Sequence, residues 1–129
     1  MSLANAIVSA CLTVTDLEKA KAFYTEKLGL TESSDTVDDP MGGMLFDAGG
    51  GTSLYIYKGG APKATNTVAG FKVDDVLATV NELKGKGVEF ESYDMAELKT
   101  DENNIATSGK LQAAWFKDPD GNILAVENH

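Results

Sequence analysis

One order of predicted elements occurs twice along the chain, and this repeat limits the folds that the chain can adopt. In the first half, residues 6–14 have the pattern of a strand that stops at Thr15. Thr15 and Glu18 have the spacing of a capping box, and apolar residues then recur at helical spacing until Gly29. The first half is therefore predicted to begin with a strand and a capped helix.

The second half begins in the same way, fifty-nine residues later. Val68–Val73 predict a strand, Asp74 and Asp75 predict a helix N-cap, and Gly87 marks the helix end. Three short strands are predicted after each helix, at about residues 30–37, 42–48 and 52–58 in the first half and at about 88–93, 104–117 with a break, and 122–127 in the second.

The ends of these strands match at a constant offset of seventy residues, because Phe46 and Leu54 correspond to Phe116 and Leu124. A shared offset over two strands indicates one structural unit used twice. The repeat predicts two βαβββ modules inside a single domain of residues 1–129, with module one at about 6–58 and module two at about 66–128.

Residues 116–128 contain the clearest turn signal, since Asp118, Pro119 and Gly121 favour a β-turn directly before an alternating strand. This segment, together with Val14–Glu18 and Ala22–Tyr24, resembles the vicinal-oxygen-chelate superfamily of glyoxalase I, bleomycin-resistance proteins and extradiol dioxygenases. The resemblance covers the whole chain. It implies an α+β fold in which two βαβββ modules form a curved, cup-like mixed sheet with the helices outside.

The same resemblance implies where a metal ion would bind. In the family's metalloenzymes, a His precedes the Asp cap of each helix by seven residues, and the last strand of each module carries a carboxylate. The four corresponding residues of this chain are Ser9, Tyr55, Val68 and Ala125. Transition metals need imidazole, thiolate or carboxylate ligands. We therefore expect the family's metal site to be absent and the protein to bind no cofactor.

Few other residues could supply a displaced metal site. The chain has one cysteine, Cys11, and one histidine, His129, which we expect to belong to a disordered terminus. Cys11 and Glu127 are only two plausible ligands, and a buried thiol with a separate strand-end carboxylate is the simpler interpretation. No pair of nucleophile and base is evident, so no catalytic residue is assigned.

Strand alternation groups side chains that could line a pocket. Ser9 shares a strand face with Cys11, Tyr55 with Tyr57, and Ala125 with Glu127. The resemblance also places Trp115 in the cup, ten residues before Ala125, where extradiol dioxygenases have an active-site aromatic residue. The predicted ligand-binding set is Ser9, Cys11, Leu45, Tyr55, Tyr57, Val68, Trp115, Ala125 and Glu127. Filling of the core by the aromatic side chains is the alternative.

The charge of the chain limits its partners. Eleven Lys and no Arg stand against twenty Asp and Glu, and the net charge of −9 disfavours nucleic acid and membrane partners and favours neutral or cationic ligands. The acidic stretches Asp35–Asp39 and Glu91–Glu102 are interpreted either as solvated loops or as a negative rim. Glyoxalase I must bind the two carboxylates of a glutathione conjugate, for which Arg is the preferred residue, so its activity is disfavoured.

No signal peptide or membrane span is predicted, and we expect a cytoplasmic protein.

Three functions remain open. The first is a metal-free protein of the bleomycin-resistance type that binds a neutral or cationic small molecule, including aromatic ones, in the cup. The second is a lyase, isomerase or dioxygenase-related enzyme that uses a displaced metal or a metal-free acid/base site with Tyr55 or Glu127. The third is a structural or regulatory dimer. The resemblance implies a homodimer, because chains with two modules typically build their cups between two copies.

Overall fold

The computed structural model describes residues 3–34, 42–62 and 65–129. The chain divides into two compact units, Met1–Pro62 and Lys63–His129. Each unit has its own mixed four-stranded sheet and its own helix, so the predicted α+β class is confirmed. Within the described residues, none of the helices has the length and apolar character needed to span a membrane.

The first unit contains β1 (Ser9–Val14), α1 (Leu17–Ala22), β2 (Thr31–Glu32), β3 (Met44–Asp47) and β4 (Ser53–Lys58). A π-helical turn, Phe23–Lys27, extends α1. The strand order is β1-β4-β3-β2; β1 runs parallel to β4, and the other neighbours are antiparallel. The parallel pair needs a long crossover, which α1 provides.

The second unit contains β5 (Thr67–Lys72), α2 (Val76–Gly85), β6 (Asp94–Met95), β7 (Leu98–Lys99), β8 (Ala106–Ser108), β9 (Leu111–Lys117) and β10 (Ile123–Glu127). Its sheet has the order β5-β10-β9-β8, with β5 parallel to β10. Strands β6 and β7 form a separate hairpin.

The sequence offset of seventy residues is reproduced in the strand register. Phe46 pairs with Leu54 between β3 and β4, and Phe116 pairs with Leu124 between β9 and β10. The connecting turns also correspond: the Ala48 backbone N–H donates to the Thr52 carbonyl at 2.9 Å. Seventy residues later, Asp118 N–H donates to Asn122 O at 3.0 Å. The two units therefore share strand order, register and turn geometry.

The predicted capping box at Thr15 is wrong, because Asp16 is the N-cap of α1. Its side-chain oxygen accepts hydrogen bonds from the backbone N–H groups of Glu18 at 3.0 Å and Lys19 at 3.2 Å. An N-cap carboxylate satisfies N–H groups that the first helical turn leaves without partners. Asp75 caps α2 in the same way, through the N–H of Ala78 at 3.0 Å.

Two predicted strands are shorter than expected. In the stretch 30–37, the described residues form a strand only at Thr31–Glu32, followed by one hydrogen bond from Ser33 N–H to Leu45 O at 2.7 Å, and residues 35–37 lie outside the described residues. The stretch 88–93 contacts β9 through one bridge, Phe90 to Phe116, and through one further backbone hydrogen bond, Glu91 N–H to Trp115 O at 2.7 Å. Two contacts at the sheet edge do not form a ladder. The predicted break in 104–117 is confirmed as a turn at Gly109, with φ of 61°.

One face of each sheet is buried with the helix of its unit. In the first unit the buried side chains are Leu12, Val14, Ala20, Phe23, Tyr24, Phe46, Leu54 and Ile56. In the second they include Val76, Val80, Leu83, Ala114, Phe116, Leu124 and Val126. Because side chains alternate along a strand, the candidate functional residues lie on the other face.

Candidate functional site

The second face of the first sheet carries a stacked pair of tyrosines. We call it the Tyr55 face; it includes Cys11, Leu45, Tyr55 and Tyr57. Tyr55 pairs with Cys11 on one side and with Leu45 on the other, so the three side chains lie in one row across the sheet. The rings of Tyr55 and Tyr57 have centroids 5.5 Å apart and planes 26° apart. The two rings are therefore stacked next to each other on one strand.

A glycine on the neighbouring strand segment makes room for the ring of Tyr55. Gly43 is buried, and a Cβ atom on it would lie 2.5 Å from the Tyr55 hydroxyl oxygen and 2.6 Å from Cζ. The Tyr55 ring therefore lies over the backbone at Gly43. The sequence shows only a Gly42–Gly43 pair, which by itself does not distinguish a loop from a contact with a ring.

The polar side chains of the Tyr55 face have separate environments. Ser9 and Ser53 are register partners, and their hydroxyl oxygens are 2.8 Å apart. Cys11 is exposed, in contrast to the buried thiol that the sequence favoured. The difference follows from strand parity: Leu12 and Val14 take the buried side of β1, so Cys11 must take the other.

Trp115 occupies the corresponding face of the second sheet. We call this the Trp115 face; it includes Ala113, Trp115, Ala125 and Glu127. Trp115 pairs with Ala125 across β9 and β10, and its ring meets Tyr93 edge-to-face at a centroid distance of 5.6 Å. Burial, and then the charge of Glu91, raise the pKa of Tyr93. The phenol of Tyr93 is thus held in its neutral form beside the indole.

A cavity of about 420 Å³ lies beside this indole, within the second unit. We call it the Trp115 cavity. Its walls are the β6–β7 hairpin with residues 96–99, strands β8 and β9, and the side chain of His129. Leu98, Leu111 and Ala113 supply apolar surface, and Glu97 with Gln112 supplies polar groups. Pockets of this size and mixed lining are typical of sites for small molecules.

The side chains of Glu127 and His129 contact each other on the Trp115 face. His129 Nε2 lies 2.7 Å from Glu127 Oε2, and the two side chains are 60% and 20% exposed. The sequence did not indicate this contact of His129. The other carboxylate oxygen, Oε1, lies so close over Gly70 that a Cβ atom there would overlap it. Gly70 and His129 together define the position of the Glu127 carboxylate.

The remaining predicted site residues are placed less favourably. Val68 is the extra residue of a bulge between β5 and β10, where Ile123 pairs with Thr67 and Leu124 with Ala69, and it is 39% exposed. Ala125 is only 2% exposed, beneath its neighbours.

The acidic stretch Glu91–Glu102 is partly neutralised. Glu91 pairs with Lys117 at 3.5 Å, and Asp94 pairs with Lys99 at 3.9 Å. Asp101 accepts backbone hydrogen bonds from residues 103 and 105, which stabilise a turn. Glu97 is the acid of this stretch that lines the Trp115 cavity. The other acidic stretch, residues 35–39, lies outside the described residues.

Comparison with known proteins identifies the family. The profile of the Glyoxalase/Bleomycin resistance protein/Dioxygenase superfamily matches residues 6–126. The chain belongs to this superfamily. The uncharacterized protein YetH of Bacillus subtilis (strain 168) is 30% identical over 126 residues, which cover 94% of this chain and 96% of YetH.

Solved structures of the superfamily share the fold at lower identity. TnmS3, an antibiotic binding protein from Streptomyces sp. CB03234, matches with a TM-score of 0.75 and 23% identity over 99% of this chain and 98% of TnmS3. FosX, a genomically encoded fosfomycin resistance protein from Listeria monocytogenes, matches with a TM-score of 0.66 and 18% identity, covering 97% of this chain and 91% of FosX. These matches confirm the fold that the sequence predicted.

The residues at the superfamily's metal positions do not fit a transition metal. Val68 and Ala125 have no donor atom in their side chains. The Ser9 hydroxyl is hydrogen-bonded to Ser53, and the Tyr55 ring lies over Gly43. In residues 3–34, 42–62 and 65–129, no group of three or more His, Cys, Asp or Glu side chains has the arrangement of a metal site. A neutral hydroxyl and a phenol are poor ligands for such ions.

Proposed function

We propose that this protein binds a neutral or cationic small molecule, with an aromatic portion, through its own side chains and without a metal ion. The observation that carries the proposal is the half-buried Trp115 in the wall of a cavity of about 420 Å³. An indole at a cavity wall offers a large rigid surface for a planar ligand. Leu98 and Leu111 provide further apolar contact.

Charge supports the preference for neutral or cationic ligands. The net charge of −9 raises the local concentration of cations and repels anions. Glu97 brings one of these negative charges to the cavity wall, where Lys99 is the nearby cation and is itself paired with Asp94. The indole face also attracts cations, by about 0.5–2 kcal/mol.

The relatives are consistent with a binding role. TnmS3 is described as an antibiotic binding protein and FosX as a fosfomycin resistance protein. At 23% and 18% identity they show the fold and not the ligand. They support the proposal to the extent that this fold holds small organic molecules in other proteins.

Fluorescence titration tests the proposal, because Trp115 is the only tryptophan and reports on the cavity directly. The probes are the planar cation N-methylquinolinium and the neutral ring naphthalene. We expect both to quench the emission, and calorimetry should show weaker binding to Trp115→Leu than to wild type. Leu77→Ala, at an exposed position of α2, is the matched control and should bind normally. Unchanged emission with both probes, or equal affinity for Trp115→Leu and wild type, would contradict the proposal.

We also propose that the protein is a homodimer. Ile7 and Val8, just before β1, are 73% and 78% exposed, which is unusual for large apolar side chains next to each other. Twofold pairing is the commonest way to cover such a surface. Sedimentation at micromolar concentration should give twice the chain mass of 13.6 kDa, and the double variant Ile7→Ser/Val8→Ser should shift it toward one chain. A wild-type mass near 13.6 kDa would refute the dimer.

A further inference from the structure

We propose that Glu127 binds the positively charged nitrogen of the ligand and that His129 occupies this carboxylate in the free protein. The inference rests on the proposed function and adds the class of ligand: a planar ring with a cationic nitrogen. On binding, the ligand nitrogen would take the place of the imidazole at the carboxylate.

The carboxylate of Glu127 is held in place before any ligand arrives. Oε2 receives His129 Nε2 at 2.7 Å, and Oε1 lies against the bare backbone of Gly70. The side chain is 20% exposed, so much of its surface is already removed from water. A partly desolvated carboxylate with fixed geometry attracts a cation more strongly than a carboxylate on a mobile surface chain.

The position of Glu127 relative to the indole suits a fused-ring cation. Glu127 is the register partner of Ala113, and Trp115 follows two residues along β9 on the same face. Two residues of a strand span about 6.6 Å. That separation matches the size of a bicyclic ring, so a ligand stacked on Trp115 can direct a nitrogen toward Glu127.

His129 is the side chain that must move. Its imidazole lines the Trp115 cavity and is 60% exposed, whereas Glu127 lies behind it. Because the imidazole is largely exposed, water can replace its hydrogen bond to the carboxylate when the ring turns to solvent. The imidazole can thus be displaced by a ligand that also gains the stacking surface.

The imidazole and the ligand nitrogen compete for one carboxylate, so removal of the imidazole should strengthen binding of the cation. The other charged groups around the pair are Lys72, the register partner of Glu127 on β5, and Glu97 and Lys99 on the hairpin. Lys72 and Lys99 are cations that repel the positively charged ligand, and the Glu97 carboxylate attracts it.

The experiment compares the binding of N-methylquinolinium with the binding of naphthalene by calorimetry. We expect Glu127→Gln to lower the affinity for the cation about tenfold, because one charge-assisted contact is lost, and to leave the affinity for naphthalene unchanged. Gly70→Ala should also lower the affinity for the cation, because the added methyl group moves the Glu127 carboxylate without removing it. The flexible Glu127 side chain can shift, so this variant should fold. Glu82→Gln, exposed on α2, is the charge-matched control.

The affinity of the His129→Ala variant is the decisive measurement. His129→Ala should bind the cation more tightly than wild type, because no imidazole then occupies the carboxylate. Equal effects of Glu127→Gln and Glu82→Gln, or equal affinity of His129→Ala and wild type for the cation, would overturn the inference and leave the proposed function in place. Binding of neither probe to wild type would overturn both.

Discussion

Replacing Gly43 by Ala tests the placement of Tyr55, on which the aromatic surface of the first unit depends. The added methyl group would meet the Tyr55 hydroxyl, Cζ and Cε1 at 2.5, 2.6 and 2.7 Å, all far inside ordinary contact distance. Either the ring remains and the site is overpacked, or the ring swings away and leaves Tyr57 without its stacking partner. Both outcomes destabilise the folded state.

The expected magnitude follows from these two outcomes. Overpacking a filled site costs about 1–3 kcal/mol. Loss of an aromatic pair costs about 0.5–1.5 kcal/mol, to which lost burial of the ring is added. The Gly-to-Ala change also restricts the unfolded chain and stabilises the fold by about 0.4–1 kcal/mol. The net effect should be a loss of about 1–2 kcal/mol, or about 4–8 °C in melting temperature for a chain of this size.

Gly60→Ala provides the control, because nothing lies within 4 Å of a Cβ atom at that position. This variant should be neutral or slightly stabilised. In a Tyr55→Ala background, Gly43→Ala should lose its cost, since the ring that it meets is gone. Thermal unfolding of these single and double variants gives the coupling energy directly.

An increase in melting temperature for Gly43→Ala, equal to that of Gly60→Ala, would refute the reasoning. It would mean that only the unfolded chain responds to the methyl group and that Tyr55 does not lie over Gly43. A cost that persists in the Tyr55→Ala background would also refute it, because the clash would then involve another group.

Three further predictions concern the turn, the buried phenol and metals. Asp118→Ala should lower stability by at least about 2 kcal/mol in denaturant unfolding, because the Asp118 side chain accepts from the backbone N–H groups of Asp120 at 2.9 Å and Asn122 at 2.8 Å. Burial, and then the charge of Glu91, raise the pKa of Tyr93. The stability that its protonated phenol contributes is therefore complete below about pH 10 and is lost as the pH rises toward the raised pKa of the folded state. Tyr93→Phe should therefore reduce the loss of stability at alkaline pH, and an identical loss in the variant and in wild type would contradict this. Adding Zn²⁺, Ni²⁺ or Mn²⁺ should leave the melting temperature unchanged, whereas a micromolar site at hundredfold excess metal would add about 2.7 kcal/mol.

The repeat was predictable because its signals are local or periodic. The seventy-residue offset relies on strand alternation and on turn residues, both of which a sequence displays, and the register of Phe46 with Leu54 and of Phe116 with Leu124 confirms it. The helix cap was harder. Thr15 and Asp16 are both suitable caps, and the extended backbone of Asp16, with φ of −137° and ψ of 105°, decides between them.

The site details were not predictable in the same way, because they depend on contacts across strands. The sequence Gly42–Gly43 is compatible with a loop and with a backbone segment beneath an aromatic ring, and only the position of Tyr55 distinguishes these two structures. Likewise, His129 as a chain-end residue gives no sign that it pairs with Glu127. Strand parity does bring the two onto one face, and this was the available signal.

The two units use one scaffold for different chemistry. In the first strand of each unit, an offset of fifty-nine residues relates Cys11 to Gly70. In the last strand, an offset of seventy residues relates Tyr57 to Glu127. In the second unit, the missing side chain at Gly70 lets Glu127 lie across β5; in the first, Gly43 lets Tyr55 lie across the start of β3. In both cases a glycine on one strand allows a long side chain from its neighbour to lie flat on the sheet. A flat side chain is restrained by the backbone beneath it and loses less entropy when a ligand arrives. If the proposed function holds, the glycines would contribute to binding without touching the ligand, and Gly43→Ala and Gly70→Ala test each face without removing Tyr55 or Glu127.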